Sequence, residues 1–185
     1  LRQEPWECLA SFILSSTKQI VQIRQIIGLL CVRFGARLGG PPGHEPVHAF
    51  PTAQRLAAAS EAELRACKMG FRAPNLLATA RCVAGGGLDL ERLHTRSVTE
   101  ARAALIELPG VGEKIANCVL LFGCGFQQAF PVDVWVRKAI RELYFPRRQP
   151  TPRRLARFVD TYFGPNAGYA QQYLFHYMRT RPRHR

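Results

Sequence analysis

Two things are scarce in this sequence of 185 residues: long apolar runs and clustered cysteines. Charges such as Arg24 and Arg33 interrupt the longest apolar stretches, so none approaches the roughly 20 residues that cross a bilayer. The six cysteines contain no C-x-x-C pair, and none follows Cys124. Iron–sulfur and zinc sites need clustered ligands, and a helical domain of this size rarely depends on disulfides. We therefore expect no metal, no cofactor and a reducing compartment.

Acidic residues are few as well. Lys and Arg number 26 against 13 Asp and Glu, which leaves a net charge of +13. An excess of this size favours a polyanionic partner, although a basic surface can also serve solubility alone. Arginines cluster at 147–148 and 153–157, and the residues from about 179 to 185 form a basic tail.

Strand signals are nearly missing, because β-branched residues are scattered and no stretch alternates apolar and polar positions. Apolar residues instead recur at helical spacing, as Trp6, Leu9 and Ile13 do. The pattern predicts an all-α protein of about ten helices that forms one domain over residues 1–185. We predict helices at 5–15, 17 or 18–34, 52–59, 60–68, 73–84, 97 or 99–107, 113–122, 133–143, 152–163 and 166–179, a short helix or turn at 88–93, and loops at 36–49 and 145–151.

The N-terminus carries no signal-peptide pattern, because Arg2, Glu4 and Glu7 interrupt it. It has no initiator methionine either, and Leu1 already lies close to the first predicted helix. We therefore expect that a segment preceding Leu1 is missing from this sequence.

A two-glycine hairpin, Leu108-Pro-Gly-Val-Gly-Glu-Lys114, separates two of the predicted helices. Glycine allows a positive φ and brings bare amide N–H groups close to an anion. The helix that begins here adds the positive end of its dipole. A DNA phosphate is the anion that suits so basic a protein, so Gly110, Val111 and Gly112 are candidate phosphate-binding residues.

An amine and a carboxylate follow the hairpin at Lys114 and at Asp133, within Pro131-Val-Asp133. Beside a nucleic-acid backbone these two groups can do chemistry. We expect Ile115 and Leu143 to desolvate the amine and so favour its neutral, nucleophilic form. The simpler alternatives are that Lys114 only contacts phosphate and that Asp133 only caps a helix.

Together these residues resemble the helix-hairpin-helix DNA glycosylase superfamily, and within it the 8-oxoguanine DNA glycosylases. The resemblance covers nearly all of residues 4–178. It also rests on Pro-Trp-Glu-Cys-Leu at 5–9, Met-Gly-Phe-Arg-Ala at 69–73 and Gly-Pro-Asn-Ala-Gly-Tyr-Ala-Gln at 164–171. It implies a two-lobed helical bundle with a DNA cleft between the lobes and a helix-hairpin-helix motif at about 99–124. Family members also carry an N-terminal β-rich domain that lines the base pocket, and we expect this chain to lack it.

The resemblance implies roles for specific residues. Lys114 would attack the sugar C1′ of a flipped nucleotide and form a Schiff base, while Asp133 would stabilise the developing positive charge. Base recognition would fall to Gln171, Phe175 and Cys118. Phe71 would fill the gap in the duplex and Arg72 would hold the orphaned base. Without the resemblance, the two phenylalanines and Cys118 would be assigned to the core and Gln171 to the surface.

The implied function is removal of 8-oxoguanine from double-stranded DNA, with β-elimination at the resulting abasic site. We expect a monomer that is intracellular and DNA-associated, in a bacterial nucleoid or a eukaryotic nucleus. Gln22 stands where the family has an arginine that contacts the orphaned base, so the opposite-base preference stays open. Trp135 stands where a histidine is usual in the animal enzymes, so the hydrogen bonding of that histidine would be lost. Two alternatives also stay open: a glycosylase of the same superfamily for a different lesion, and a non-catalytic DNA-binding module.

Overall fold

The computed structural model describes residues 2–16, 19–40, 43 and 46–181. Within these ranges the chain forms ten α-helices and one two-stranded sheet, so the predicted all-α class is confirmed. The elements are α1 Pro5–Ser15, α2 Ile20–Phe34, β1 Arg37–Leu38, β2 Val47–His48, α3 Ala53–Ala57, α4 Glu61–Ala66, α5 Ala73–Ala84, α6 Val98–Ile106, α7 Glu113–Phe122, α8 Val134–Leu143, α9 Pro152–Phe158 and α10 Ala167–Thr180. In the described ranges, no helix combines the length and apolarity that a membrane crossing requires.

Most helix starts follow from capping side chains that the sequence makes visible. Ser60 and Ser97 each accept a hydrogen bond from the backbone N–H three residues later, and the carboxylate of the glutamate there accepts one from the backbone N–H of the serine. Thr52, Thr151 and Asp133 cap α3, α9 and α8 in the simpler one-sided way. The predicted start of α2 at Thr17 or Lys18, part of the 36–49 loop and the last four residues of the basic tail lie outside the described residues.

Two sequence predictions need correction. The segment 36–49 is not wholly a loop, because β1 and β2 pair antiparallel with Leu38 opposite Val47. This pairing joins residues across a turn, and strands of two residues leave no alternation to detect. The helix predicted at 152–163 also changes its winding: α9 ends at Phe158 and a π-helical turn follows over Val159–Phe163.

The described chain has two hydrophobic cores. The larger lobe, α1 to α7, buries mostly aliphatic side chains such as Leu9, Leu76 and Leu105. The smaller lobe, α8 to α10, has a compact core that includes Val136 and Met178 and is flanked by many aromatic rings. The connector after α7 joins the lobes, with Ala129 in one core and Phe130 in the other.

The lobes meet closely at Gly168, the second residue of α10. Its N–H donates to the carbonyl of Gln127 at 2.7 Å. A Cβ at this position would lie 2.4 Å from Leu121 Cδ1 and 2.9 Å from the carbonyl oxygen of Ala129. Only glycine therefore lets α10 approach the end of α7 and the connector this closely.

Candidate active site

The hairpin between α6 and α7 is built against α5. Gly110 has a φ of +80°, and a Cβ there would lie 2.7 Å from Asn75 Nδ2. The Thr79 hydroxyl donates to the carbonyl of Pro109 at 3.4 Å. Both the turn and the close packing thus require glycine at position 110. The expectation of a positive φ is wrong for Gly112, which has a φ of −102°.

The first turn of α7 is open to an anion. Gly112 occupies the N-cap position, and no side chain in the described ranges caps this helix. The first N–H groups of a helix have no intrahelical partner and lie at the positive end of its dipole. Val111 is buried and anchors the tip of the hairpin, while Gly110 and Gly112 are exposed. The backbone at this tip is therefore suited to bind a phosphate.

Lys114 is exposed in the first turn of α7. Its Nζ lies 6.0 Å from the ring centroid of Phe12 on α1. The expectation that Ile115 and Leu143 desolvate this amine is wrong, because the Lys114 side chain is exposed to solvent. Phe12 is the neighbour that sequence analysis missed. Phe12 lies in the helix predicted at 5–15, but the sequence did not indicate that its ring would lie near Lys114.

Asp133 caps α8, its Oδ1 accepting a hydrogen bond from the N–H of Val136 at 2.8 Å. In the described residues it forms no ion pair with Lys114 within 4 Å. Both groups nevertheless act on the buried thiol of Cys118. Burial raises the pKa of Cys118 to about 12, with Lys114 opposing the rise and Asp133 adding to it. Three predicted site residues, from α7 and the start of α8, therefore share one electrostatic environment.

Two further predicted residues lie one turn apart on α10. Gln171 is 4% exposed, so the surface-amide alternative for it is wrong. Its Oε1 accepts a hydrogen bond from Gln172 Nε2 at 2.5 Å. Phe175 is half-buried against the smaller core, with the Arg179 guanidinium 5.3 Å from its ring centroid. Spacing of four residues places Gln171 and Phe175 on one side of the helix.

The turn before α5 presents Phe71 and covers Arg72. Phe71 is 63% exposed, so the core-aromatic alternative for it is wrong. Arg72 is 2% exposed, and its guanidinium carbon lies 4.3 Å from the Phe71 ring centroid. Burial lowers the pKa of this guanidinium. In this structure Arg72 therefore lies beneath Phe71, which the sequence did not indicate.

Comparison with known proteins shows which family this chain resembles. Residues 10–165 match the model of the HhH-GPD superfamily base excision DNA repair proteins. The N-glycosylase/DNA lyase OGG1 of Arabidopsis thaliana is 36% identical over 95% of this chain and 50% of its own length. A probable N-glycosylase/DNA lyase of Methanothermobacter thermautotrophicus is 32% identical over 97% of this chain and 62% of its own.

A solved structure is similar throughout the chain. The 8-oxoguanine glycosylase/lyase of Clostridium acetobutylicum, in complex with double-stranded DNA that has cytosine opposite 8-oxoguanine, superimposes with a TM-score of 0.89 at 36% identity. The alignment covers 97% of this chain and 61% of that one. The chain thus spans between half and about three-fifths of the length of these relatives. The hairpin, the helical fold and these matches agree with the expected family: the chain belongs to the HhH-GPD superfamily of base excision DNA repair proteins.

Proposed function

We propose that this chain is the catalytic unit of a bifunctional DNA glycosylase and lyase that acts as a monomer on 8-oxoguanine in duplex DNA. One observation carries the proposal. The exposed amine of Lys114 stands in the first turn of α7, which no described side chain caps, and the carboxylate of Asp133 begins the next helix, α8. The names of the similar proteins support the reaction and the lesion.

Binding begins at the hairpin. The backbone amides of the exposed Gly110 and Gly112 hold a phosphate of the damaged strand, while Val111 anchors the hairpin between them. A base inside the duplex is out of reach, so the nucleotide rotates out of the stack. Phe71 is exposed and fills the gap. Arg72 serves the orphaned base after it leaves its position beneath the Phe71 ring.

The chemistry joins Lys114 Nζ to the sugar C1′ as the bond from C1′ to the base nitrogen breaks and the base leaves with that electron pair. DNA that covers the exposed amine removes its water, which favours the neutral nucleophile. The carboxylate of Asp133 stabilises the positive charge that develops on the sugar. Loss of a proton from nitrogen and opening of the sugar give a Schiff base. Removal of a C2′ proton then expels the 3′ phosphate.

Recognition of the everted base uses α10 and Cys118. Phe175 stacks on the base, and Gln171 pairs with its Watson–Crick edge. Since burial raises the pKa of Cys118 to about 12, its thiol is neutral at physiological pH. A neutral thiol contacts a base without bringing a second negative charge next to Asp133.

Reduction with borohydride tests the Schiff base directly. The protein is mixed with a duplex that contains 8-oxoguanine opposite cytosine, and the covalent adduct is measured on a denaturing gel. We expect an adduct with the wild type, none with Lys114→Ala, and a normal amount with Lys138→Ala, which removes another exposed lysine. An adduct that persists in Lys114→Ala would overturn the assignment of the nucleophile.

A panel of lesions tests the alternatives. Adduct formation only on an oxidised pyrimidine would favour a different lesion. Tight binding without any adduct, on any substrate, would favour a non-catalytic DNA-binding module.

A further inference from the structure

The positive charge of this protein is concentrated in one short segment. Residues 137–157 contain eight basic side chains and one acidic side chain, a net charge of +7 out of +13 for the whole chain. The segment runs from α8 through the following loop to the end of α9. All eight basic residues are exposed. The hairpin and Lys114 lie outside the segment, so the chemistry proposed above does not use this charge.

The single carboxylate of the segment does not neutralise its arginines. Glu142 accepts a hydrogen bond from Arg181, which lowers the pKa of the carboxyl, and it lies 3.8 Å from Lys138 Nζ. Arg181 lies outside the segment. The arginines of the loop and of α9 therefore keep their charge available for an external anion.

Two neighbouring depressions are lined by six arginines, most of them from this segment. The first, of about 560 Å³, lies between the lobes and is lined by Arg102, Arg137 and Arg153, with Glu113 and Asp160 also in its wall. The second, of about 520 Å³, is lined by Arg141, Arg147 and Arg148, together with Glu142. Gln149 lines both depressions. We name the combined surface the arginine groove. It contains six guanidinium groups and three carboxylates.

The arginine groove adjoins the chain segments that carry Lys114 and Asp133, although neither residue lines it. Glu113 lies in its wall and belongs to α7, and Val132 and Arg137 lie on either side of Asp133 in the sequence. Arg137 and Arg141 follow Asp133 at intervals of four residues, so they continue along α8. Ten helical residues span about 15 Å, and Arg147 and Arg148 lie beyond the far end of α8. One strand of duplex DNA carries a phosphate every 3.4 Å or so along the axis, and the groove thus matches about four or five phosphates.

Parts of the groove are held in place before any ligand binds. Arg102 Nε donates to Asn117 Oδ1 at 3.1 Å. The Arg154 guanidinium lies 5.1 Å from the ring centroid of Phe145, in the loop that carries Arg147 and Arg148. Positions fixed in this way suit a ligand with regularly spaced charges.

We propose that the arginine groove binds the phosphate backbone of the duplex that flanks the lesion. The inference rests on the proposed function, because the DNA held at the hairpin supplies the flank at high effective concentration. The six guanidinium groups and the shared chain segments favour the DNA bound at Lys114 and Asp133 over a separate acidic protein.

Binding to duplexes of different length tests the proposal. Each duplex carries a stable abasic-site analogue, and the flank on one side is extended in steps while the other side stays short. We expect the wild-type affinity to rise about tenfold over roughly five added base pairs on one side only. Arg147→Glu combined with Arg148→Glu should abolish this gain and lower the salt dependence on the long duplex by about two phosphate contacts.

The matched control is Arg37→Glu combined with Arg55→Glu, which changes the same charge at exposed positions of the larger lobe. It should keep the gain with length. A gain that persists in the Arg147 and Arg148 variant, or a wild type without any gain, overturns the proposal. An acidic protein as the true partner would give this second result.

Borohydride trapping separates the two proposals, on a duplex of the shortest length that carries 8-oxoguanine opposite cytosine in place of the analogue. Wild type and the Arg147 and Arg148 variant should be trapped equally. If neither is trapped while the gain with length remains, the proposed function fails and the groove still binds DNA.

Discussion

The two lobes carry different halves of the candidate active site on different kinds of core. The larger lobe presents Lys114 from α7, above a broad aliphatic core. The smaller lobe presents Asp133, Gln171 and Phe175 from two helices around a compact core. The nucleophile and its partners are therefore placed by separate packing, and their relative position depends on the junction between the lobes.

The smaller lobe compensates for its size with aromatic contacts. The Phe158 ring lies 5.0 to 5.6 Å from four other rings, counted by centroids within the described residues, those of Tyr144, Phe145, Tyr162 and Phe163. Aromatic side chains bury a large area each and prefer such tilted or offset arrangements. A few residues thus suffice to fix the end of α8 against α9 and the π-helical turn. The smaller lobe is therefore stabilised internally by packing between aromatic rings, and the close contact at Gly168 joins it to the larger lobe.

Changing Asp133 to Asn should have the largest effect and should be confined to chemistry. Asparagine caps a helix about as well as aspartate, so the start of α8 should be preserved. Asparagine lacks the negative charge that stabilises the positive charge developing on the sugar. We expect single-turnover base removal to slow by about 10²-fold or more, with DNA affinity and thermal stability close to wild type.

Asp133→Ala supplies the comparison for that experiment. Its rate of base removal should fall as much as that of Asp133→Asn, and its free energy of unfolding should also fall by about 1 kcal/mol because the cap is missing. Equal losses of rate and DNA binding in Asp133→Asn would show that the role of this residue is structural.

Changing Gly168 to Ala tests the junction between the lobes. The new methyl group would overlap Leu121 and the carbonyl of Gln127. Overpacking of this kind costs about 1–3 kcal/mol. We expect a lower free energy of unfolding in urea and slower base removal, because α10 carries Gln171 and Phe175.

Gly28 is the matched control, since it also lies in a helix but has no atom within 4 Å of an added Cβ. Gly28→Ala should stabilise the protein by about 1 kcal/mol through helix propensity. If both variants gain stability, the contact at Gly168 does not hold the lobes together.

The thiols of the larger lobe should produce the smallest effect, at alkaline pH. Burial raises the pKa of Cys118 to about 12 and that of Cys124 to about 11, whereas an unfolded thiol ionises near 9. Their contribution to stability is complete below pH 9 and is lost as the pH rises from 9 toward 12. We expect each of these two thiols to lower the free energy of unfolding by about 1 kcal/mol between pH 8 and pH 10.

Urea unfolding at pH 8 and pH 10 measures this loss. Cys124→Ala should reduce the difference between the two pH values by about one thiol's share. An unchanged difference would mean that other groups, such as the tyrosines of the smaller lobe, account for it.

The sequence predicted what depends on neighbouring residues and missed what depends on distant ones. Caps at Ser60, Ser97 and Asp133 are local patterns, and the helices they start were predicted to within a residue or two. The two-residue strand pair, the burial of Arg72 and the close contact at Gly168 arise from residues brought together only by folding. The positions of Lys114 and Asp133 were predictable from their motif, but the exposure of the lysine was not.

The packing of Gly110 against Asn75 has a consequence for how this protein would search a genome. The turn is packed against α5 before any DNA binds, so binding a phosphate does not require this segment to fold. In the proposed function this phosphate contact depends neither on the base sequence nor on the presence of a lesion. Intact and oxidised duplexes would be bound at equal rates. The protein would distinguish them only when a base enters the pocket. The speed of repair would then be limited by how quickly the protein releases the many sites that hold nothing to remove.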